Sequence, residues 1–295
     1  RFTKEIVISN KTIMRKIITI ITFLALIVSP LQTMAAIVSV EVASVSSSEV
    51  LGNGLSYSTG MTEDGRYILL TSESSNLVSG DTNAVTDVFL RDKTLGTTIR
   101  VSVGDGEEEA NGESSWASVT SDGRYVVFTS DATNLVAGDT NLQTDLFLRD
   151  TVSGSTTRLN VNSDDEEADA SAYSPFITPD GEFVIFATSA TNLVSGDTNA
   201  QSDVFIVTLA TGDIERVSVS SSEVEADDYS GGTGLIYMSD DGRYVVFDSN
   251  ATNLVAGDTN GALDIFVRDR TLGTTERLSV SSSEVQGNGD SSYPH

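Results

Sequence analysis

From about residue 46 onward, apolar residues gather in short runs separated by Gly, Asp, Asn and Ser, and no stretch keeps the 3.6-residue period of an amphipathic helix. Between residues 105 and 162 the pattern predicts four strands. Residues 117–120 form the first. Ser121-Asp122-Gly123 then turns the chain into Tyr125-Val126-Val127-Phe128, a continuous apolar run suited to a strand covered on both faces. A polar loop leads to a third strand at residues 145–148. A tight hairpin over residues 150–154 enters a fourth at 156–161, where apolar and polar positions alternate as on a half-exposed outer strand.

This arrangement repeats. Asp64-Gly65-Arg66-Tyr67 recurs at residues 122–125, as Asp180-Gly181-Glu182-Phe183, and at 241–244, in steps of 58, 58 and 61 residues. Gly-Asp-Thr-Asn recurs at 80–83, 138–141, 196–199 and 257–260 with the same steps. The extra residues of the last step fall in the Gly-rich stretch 230–234, a loop insertion. Units at about 46–104, 105–162, 163–220 and 221–281, with a tail at 282–295, follow from these markers. The fold class is all-β, in four-stranded antiparallel blades that must bury their faces on one another. Ser121-Asp122-Gly123-Arg124-Tyr125-Val126-Val127-Phe128, its sister copies and the Asp-hydrophobic-Phe strand that follows resemble the WD-repeat-like blades of TolB-type β-propellers. The resemblance covers about residues 37–295 and implies a propeller serving as a binding platform or scaffold.

The pattern of the outer strand is read five times, at about residues 37–45, 99–103, 158–161, 216–219 and 277–280, against four copies of the others. The tail at 286–294 repeats the approach to a fifth unit. Three arrangements accommodate a spare strand: a piece of a longer propeller, a four-bladed ring with loose ends, or copies joined head to tail into a homo-oligomer or filament.

Residues 1–36 stand apart. Met14-Arg15-Lys16 precedes an apolar run at 17–28 that is short for a bilayer span, and Thr33-Met34-Ala35-Ala36 offers small residues for cleavage. The segment reads as upstream residues plus a secretory signal peptide, so the chain is expected outside the cytoplasm, extracellular or periplasmic, without membrane insertion after cleavage. Without those 36 residues, 12 basic and 42 acidic side chains remain, a field that repels nucleic acid and favours cations. There is no cysteine, and the single histidine is His295, so thiol, Cys/His zinc and Ser-His-Asp chemistry lack their parts.

The candidate chemistry lies in Asp-Thr-Asn-x-x-x-Asp: Asp81, Asn83 and Asp87; Asp139, Asn141 and Asp145; Asp197, Asn199 and Asp203; Asp258, Asn260 and Asp264. Oxygen donors at alternate positions of a tight loop, with a carboxylate beyond, suit Ca2+. The same residues also suit Asx-turns that bond their own backbone. Further ligands are expected from the connectors between units, at Glu49/Asn53, Glu107/Asn111, Asp165/Asp169, Glu223/Asp227 and Glu284/Asn288. No carboxylate pair departs from the repeat, so an enzyme is not expected. Trp116, with Tyr57, Tyr173 and Tyr229, suits plain packing first and otherwise a groove for a protein or glycan partner.

Overall fold

In a computed structural model, residues 41–232 and 236–292 are described. The leader at 1–36, residues 37–40 of the spare strand and part of the Gly-rich insertion lie outside them. The described residues form four four-stranded antiparallel sheets, each a simple up-and-down meander. Blade 1 holds β1 (Ser56–Met61), β2 (Tyr67–Ser72), β3 (Asp87–Asp92) and β4 (Thr97–Arg100). Blade 2 holds β5 (Ser114–Val119), β6 (Tyr125–Ser130), β7 (Asp145–Asp150) and β8 (Ser155–Arg158). Blade 3 holds β9 (Ala172–Ile177), β10 (Phe183–Thr188), β11 (Asp203–Thr208) and β12 (Asp213–Arg216). Blade 4 holds β13 (Tyr237–Met238), β14 (Tyr244–Ser249), β15 (Asp264–Asp269) and β16 (Thr274–Arg277).

The second and third strands of the blades are apolar on both faces, and in blades 2 and 3 a neighbouring blade lies on each side. Leu69, Val88 and Leu90 of blade 1 pack against Val126, Phe128 and Phe147 of blade 2. Val127 and Leu146 meet Phe186 and Phe205 of blade 3, and Ile185, Val204 and Ile206 meet Phe247 and Phe266 of blade 4. Each Phe pair sits directly across its two strands, as Phe128 with Phe147 at 5.7 Å between ring centroids. Backbone bonds add a seam: Ser114 N donates to the Thr86 carbonyl (2.8 Å) and Ala172 N to the Thr144 carbonyl (2.8 Å).

The Asp-Gly-Arg turns form a second seam. Asp64, Asp122, Asp180 and Asp241 each accept from a Thr or Ser hydroxyl two residues back and from the amide two residues on. The arginine folds over its neighbouring Tyr ring, at 4.6 Å for Arg66, and pairs with the end of the third strand, as Arg66 Nη2 with Asp92 (2.8 Å). The glycine has positive φ, and in blades 2 to 4 it lies under the aromatic ring of the preceding blade; a Cβ on Gly123 (φ 75) would stand 2.4 Å from the Tyr67 ring. Only glycine meets both demands.

Blade 3 departs from this scheme as a set. Glu182 and Thr208 stand where the other blades have the turn arginine and its aspartate, and Arg270 of blade 4 covers Phe183 instead, at 5.0 Å. Val207 and Ile214 likewise replace the Arg and Thr that in blades 1, 2 and 4 bond the connector, and both join the apolar cluster between blades 2 and 3. Removing both members of a buried pair together leaves no orphaned charge.

Among the described residues, the element that recurs five times is a connector. Val45, Val103, Val161, Val219 and Val280 make one-residue bridges to Leu51, Glu109, Glu167, Glu225 and Gln286, while four outer strands end at Arg100, Arg158, Arg216 and Arg277. Alternation in the sequence does not distinguish the two, because the connector continues the strand's direction for only a few residues before it turns back.

Gly123→Ala should destabilise the fold by about 2–4 kcal/mol through positive-φ strain and the Tyr67 clash, lowering Tm by several degrees in a calorimetric scan. Gly138→Ala, where a Cβ meets nothing within 4 Å, should lose only the backbone part of that cost.

Candidate functional site: an arginine among carboxylates

Each Gly-Asp-Thr-Asn loop joins the second strand of a blade to the third. Its glycine takes positive φ (79 at Gly80), as does the residue after the Asn (57 at Ala84). The Asn works as an Asx-turn: Asn83 Oδ1 accepts from Val85 N (3.3 Å), while its amide donates to Asp87 (2.9 Å) and the Ala110 carbonyl (3.0 Å). Asn141, Asn199 and Asn260 do the same. The four Asn side chains expected as ligands therefore spend their oxygens on the backbone.

The aspartates do converge, and a guanidinium stands among them. Arg158 Nη1 lies 3.6 Å from Asp139, 3.1 Å from Asp145 and 2.7 Å from Glu167. Arg100 repeats this with Asp81 (3.4 Å), Asp87 (3.3 Å) and Glu109 (2.8 Å), and Arg216 with Asp197 (3.3 Å), Asp203 (3.5 Å) and Glu225 (2.7 Å). In blade 4, Arg277 meets Asp258 (3.2 Å) and Asp264 (3.4 Å), and Gln286 replaces the connector acid. The arginines come from the ends of the outer strands, and their side chains are about nine-tenths buried, 8% exposed at Arg100 and 10% at Arg277. Spacing along the chain did not reveal them as partners, because they lie 13 residues beyond the loop's last aspartate.

The connectors reach the loops, two residues away from where they were expected. Glu109 accepts from Thr82 N (2.7 Å) and Thr82 Oγ1 (2.6 Å), and Glu167 and Glu225 hold Thr140 and Thr198 in the same way. Glu49, Glu107 and Glu223 instead pair with Arg91, Arg149 and Arg268 of the blade that follows. Asn53, Asn111, Asp169 and Asp227 cap the next inter-strand loop, as Asp169 Oδ1 accepting from Thr191 N (2.7 Å). One connector thus latches two blades.

Two clusters, Asp139/Asp145/Glu167 and Asp197/Asp203/Glu225, place three carboxylates so that one oxygen of each lies within 4.8 Å of the others, a geometry able to hold a metal ion. The Asp139 and Asp197 side chains are 2% exposed, and one oxygen of each has no hydrogen-bond partner. Burial, reinforced by the neighbouring Asp145 or Asp203, pushes both carboxyls up to about 6.

A cavity of about 820 Å³ opens where the first strands of the four blades converge. Gly60, Trp116, Ser174, Phe176 and Tyr237 line it. Bulges interrupt β1, β5 and β9 here, and Trp116 and Ser174 take positive φ (45 and 56) within theirs. The bulge leaves Trp116 55% exposed at the cavity. Tyr57, Tyr173 and Tyr229 do not line it; the Tyr173 hydroxyl donates to Ser202, and the residue is half-buried.

Four meander sheets packed face to face, their first strands around one cavity, define an all-β propeller. Among solved structures the chain is similar to a putative TolB from Agrobacterium tumefaciens, at 19% identity and TM-score 0.44, with 74% of this chain and 63% of that one covered. It is also similar to TolB from Acinetobacter baumannii, at 16% identity and TM-score 0.44, covering 79% and 45%. A third is the β-propeller domain of the Trilobed protease from Pyrococcus furiosus, at 10% identity and TM-score 0.44, covering 76% and 57%. The chain thus spans less than two thirds of each of these. No protein-family model and no curated protein matches the sequence. Among the described residues no helix is long and apolar enough to cross a membrane.

The raised carboxyls bind a proton in the folded state that the unfolded chain releases at about pH 4, so their contribution is greatest below that pH and is lost as pH rises through about 6. Asp269, lowered to about 2 by Arg243, and Asp150, lowered by Arg124, act oppositely: their contribution is present at neutral pH and is lost as pH falls below about 4. Thermal melts should therefore peak near pH 4–5 and decline toward pH 7. The double variant Asp139→Asn/Asp197→Asn should flatten that decline, and a parent whose Tm climbs steadily from pH 4 to 7 would contradict the assignment.

Proposed function

We propose that the chain is an exported structural scaffold whose copies assemble through the open ends of the blade array. One observation carries this reading: the repeated polar chemistry is spent inside the fold, while among the described residues no blade lies over the far face of the last one. Val246, Ile265 and Val267 are half-buried there, whereas their counterparts Leu69, Val88 and Leu90 are 0–4% exposed beneath the next blade. Leu278 is 49% exposed where Val101 and Val217 are 0%. The TolB-like fold agrees with a scaffold or platform outside the cytoplasm, and the signal-peptide pattern of residues 1–36 supports export. Light scattering and negative-stain microscopy of the purified protein should show fibres or closed multimers that grow with concentration; a monodisperse monomer throughout contradicts the scaffold reading.

A second reading, a platform for a glycan or peptide, is favoured by Trp116, which stands at the cavity beside Phe176 and Tyr237. It is the single tryptophan, so its fluorescence reports the cavity directly. Soluble polysaccharides and unstructured peptides that bind there should shift its emission, and Trp116→Ala should abolish their retention without lowering Tm.

Calcium belongs to the same proposal. Oxygens of Asp139 and Asp197 that accept no hydrogen bond, and three close carboxylates, support it in blades 2 and 3, with Asp139, Asp145, Asp197 and Asp203 as ligands beside Glu167 and Glu225. Arginine already supplies a positive charge among these groups, so an ion would sit beside or displace it. Millimolar calcium should raise Tm by a few degrees in the parent, reversibly with chelator, and not in Asp139→Asn/Asp197→Asn. An unchanged melt with calcium leaves arginine as the sole cation of the site.

A further inference from the structure

The connector at residues 279–289, Ser-Val-Ser-Ser-Ser-Glu-Val-Gln-Gly-Asn-Gly, matches the first connector at 44–54 at every position but one, Gln286 for Leu51. The connector at 218–228 shares the first seven positions but continues Glu-Ala-Asp-Asp, and residues 102–112 read Ser-Val-Gly-Asp-Gly-Glu-Glu-Glu-Ala-Asn-Gly, so the closing Gly-Asn-Gly is what the first and last connectors have in common alone. The first connector is seated on blade 1. The Val45 carbonyl accepts from Thr98 Oγ1 (2.6 Å), Ser47 Oγ from Thr98 N (2.9 Å), and Glu49 pairs with Arg91. Asn76 donates to the Leu51 carbonyl (2.9 Å) and accepts from Asn53 N (2.9 Å).

This seat has a requirement of its own. Blade 1 carries Ser74 where blades 2 to 4 carry Ala132, Ala190 and Ala251. The hydroxyl accepts from Gly54 N (2.9 Å), and a Cβ on Gly52 would lie 2.6 Å from it. The connectors ahead of blades 2 to 4 have Ala110, Ala168 and Ala226 at that position, too large for this seat. The last connector has Gly287. It is therefore matched to blade 1 in particular.

The single difference faces the other way. Gln286 reaches back to its own blade, donating to Asp258 (2.8 Å) and accepting from Thr259, the place that Glu109 takes on Thr82. Leu51 meets no preceding blade among the described residues and is 62% exposed. All the residues needed to hold blade 1 are thus shared, and the residue that differs is the one that holds the blade before.

Resting on the scaffold reading, we propose that residues 280–289 of one copy take the seat of residues 45–54 on blade 1 of a second copy, displacing that copy's first connector. The exchange is like for like: Val280 for Val45, Ser282 for Ser47, Glu284 for Glu49, Gly287 for Gly52 and Asn288 for Asn53. Hydrogen bonds and the ion pair are conserved, which makes segment exchange a low-cost route to assembly. The net gain is burial of Val246, Ile265, Val267 and Leu278 against blade 1, whose opposing face, Leu70, Leu77 and Phe89, has Ala43 ahead of the first connector packed on it. The fourth blade of one copy then meets the first blade of the next as blades meet within the chain.

The twin glutamates give the test. Glu284→Arg should leave the protein monomeric by sedimentation velocity from micromolar to millimolar concentration. Glu49→Arg, which loosens only the connector to be displaced, should bring assembly to roughly tenfold lower concentration. Monomer at every concentration for parent and Glu49→Arg overturns both this exchange and self-assembly. Multimers unaffected by either substitution overturn the exchange alone. A parent that is monomeric, with Tm lowered by Glu284→Arg, places the last connector on its own chain's blade 1 and overturns the second-copy seat.

Discussion

A guanidinium held among carboxylates from three separate segments is the interaction on which the architecture depends. Arg158 comes from the outer strand, Asp139 and Asp145 from the loop and third strand, and Glu167 from the connector to the next blade. One buried cation thereby fixes a blade's rim and the departure of the chain toward its neighbour. Burying charge in this way is costly unless every charge is answered, and the oxygens of Asp139 and Asp197 that accept no hydrogen bond mark where the answer is incomplete. Burial also pushes those two carboxyls up, to about 6.

Around this latch the blades associate through apolar faces and two lesser seams, the Asp-Gly-Arg turns and the second set of arginines. Arg91, Arg149 and Arg268 bond the connector that precedes their blade, so each connector is claimed from both sides. The repeat is then a chain of latched units in which each blade supplies what its neighbour lacks. Blade 3 shows how tightly the parts are coupled. It loses the turn arginine together with its aspartate, and replaces the connector-binding arginine and its threonine by Val207 and Ile214, leaving the connector acid Asp165 exposed, while Arg270 covers Phe183 from blade 4.

The repeat, the strand pattern and the turn glycines were legible because they are local. Period, apolar run and positive φ are each written within a few residues, as in Asp122-Gly123-Arg124-Tyr125. The Asp-Thr-Asn loops were legible as polar turns, but their oxygen spacing fits a metal loop and an Asx-turn equally well. Only the direction of the Asn amide decides between them. The connector acid was placed two residues early, at Glu107 rather than Glu109, since both are acids of one short hairpin and only its fold shows which faces back and which forward.

The sequence by itself determined the all-β class, the four units, the acidic surplus and the near-identity of the first and last connectors. These depend on residue order alone. Tertiary structure decided that arginine stands at the centre of each acidic loop, that Trp116 is turned to the cavity by a bulge, and that Ser74 makes blade 1 demand a glycine. Each of those is a contact between segments that fold brings together, and no local pattern encodes the distance across which they meet.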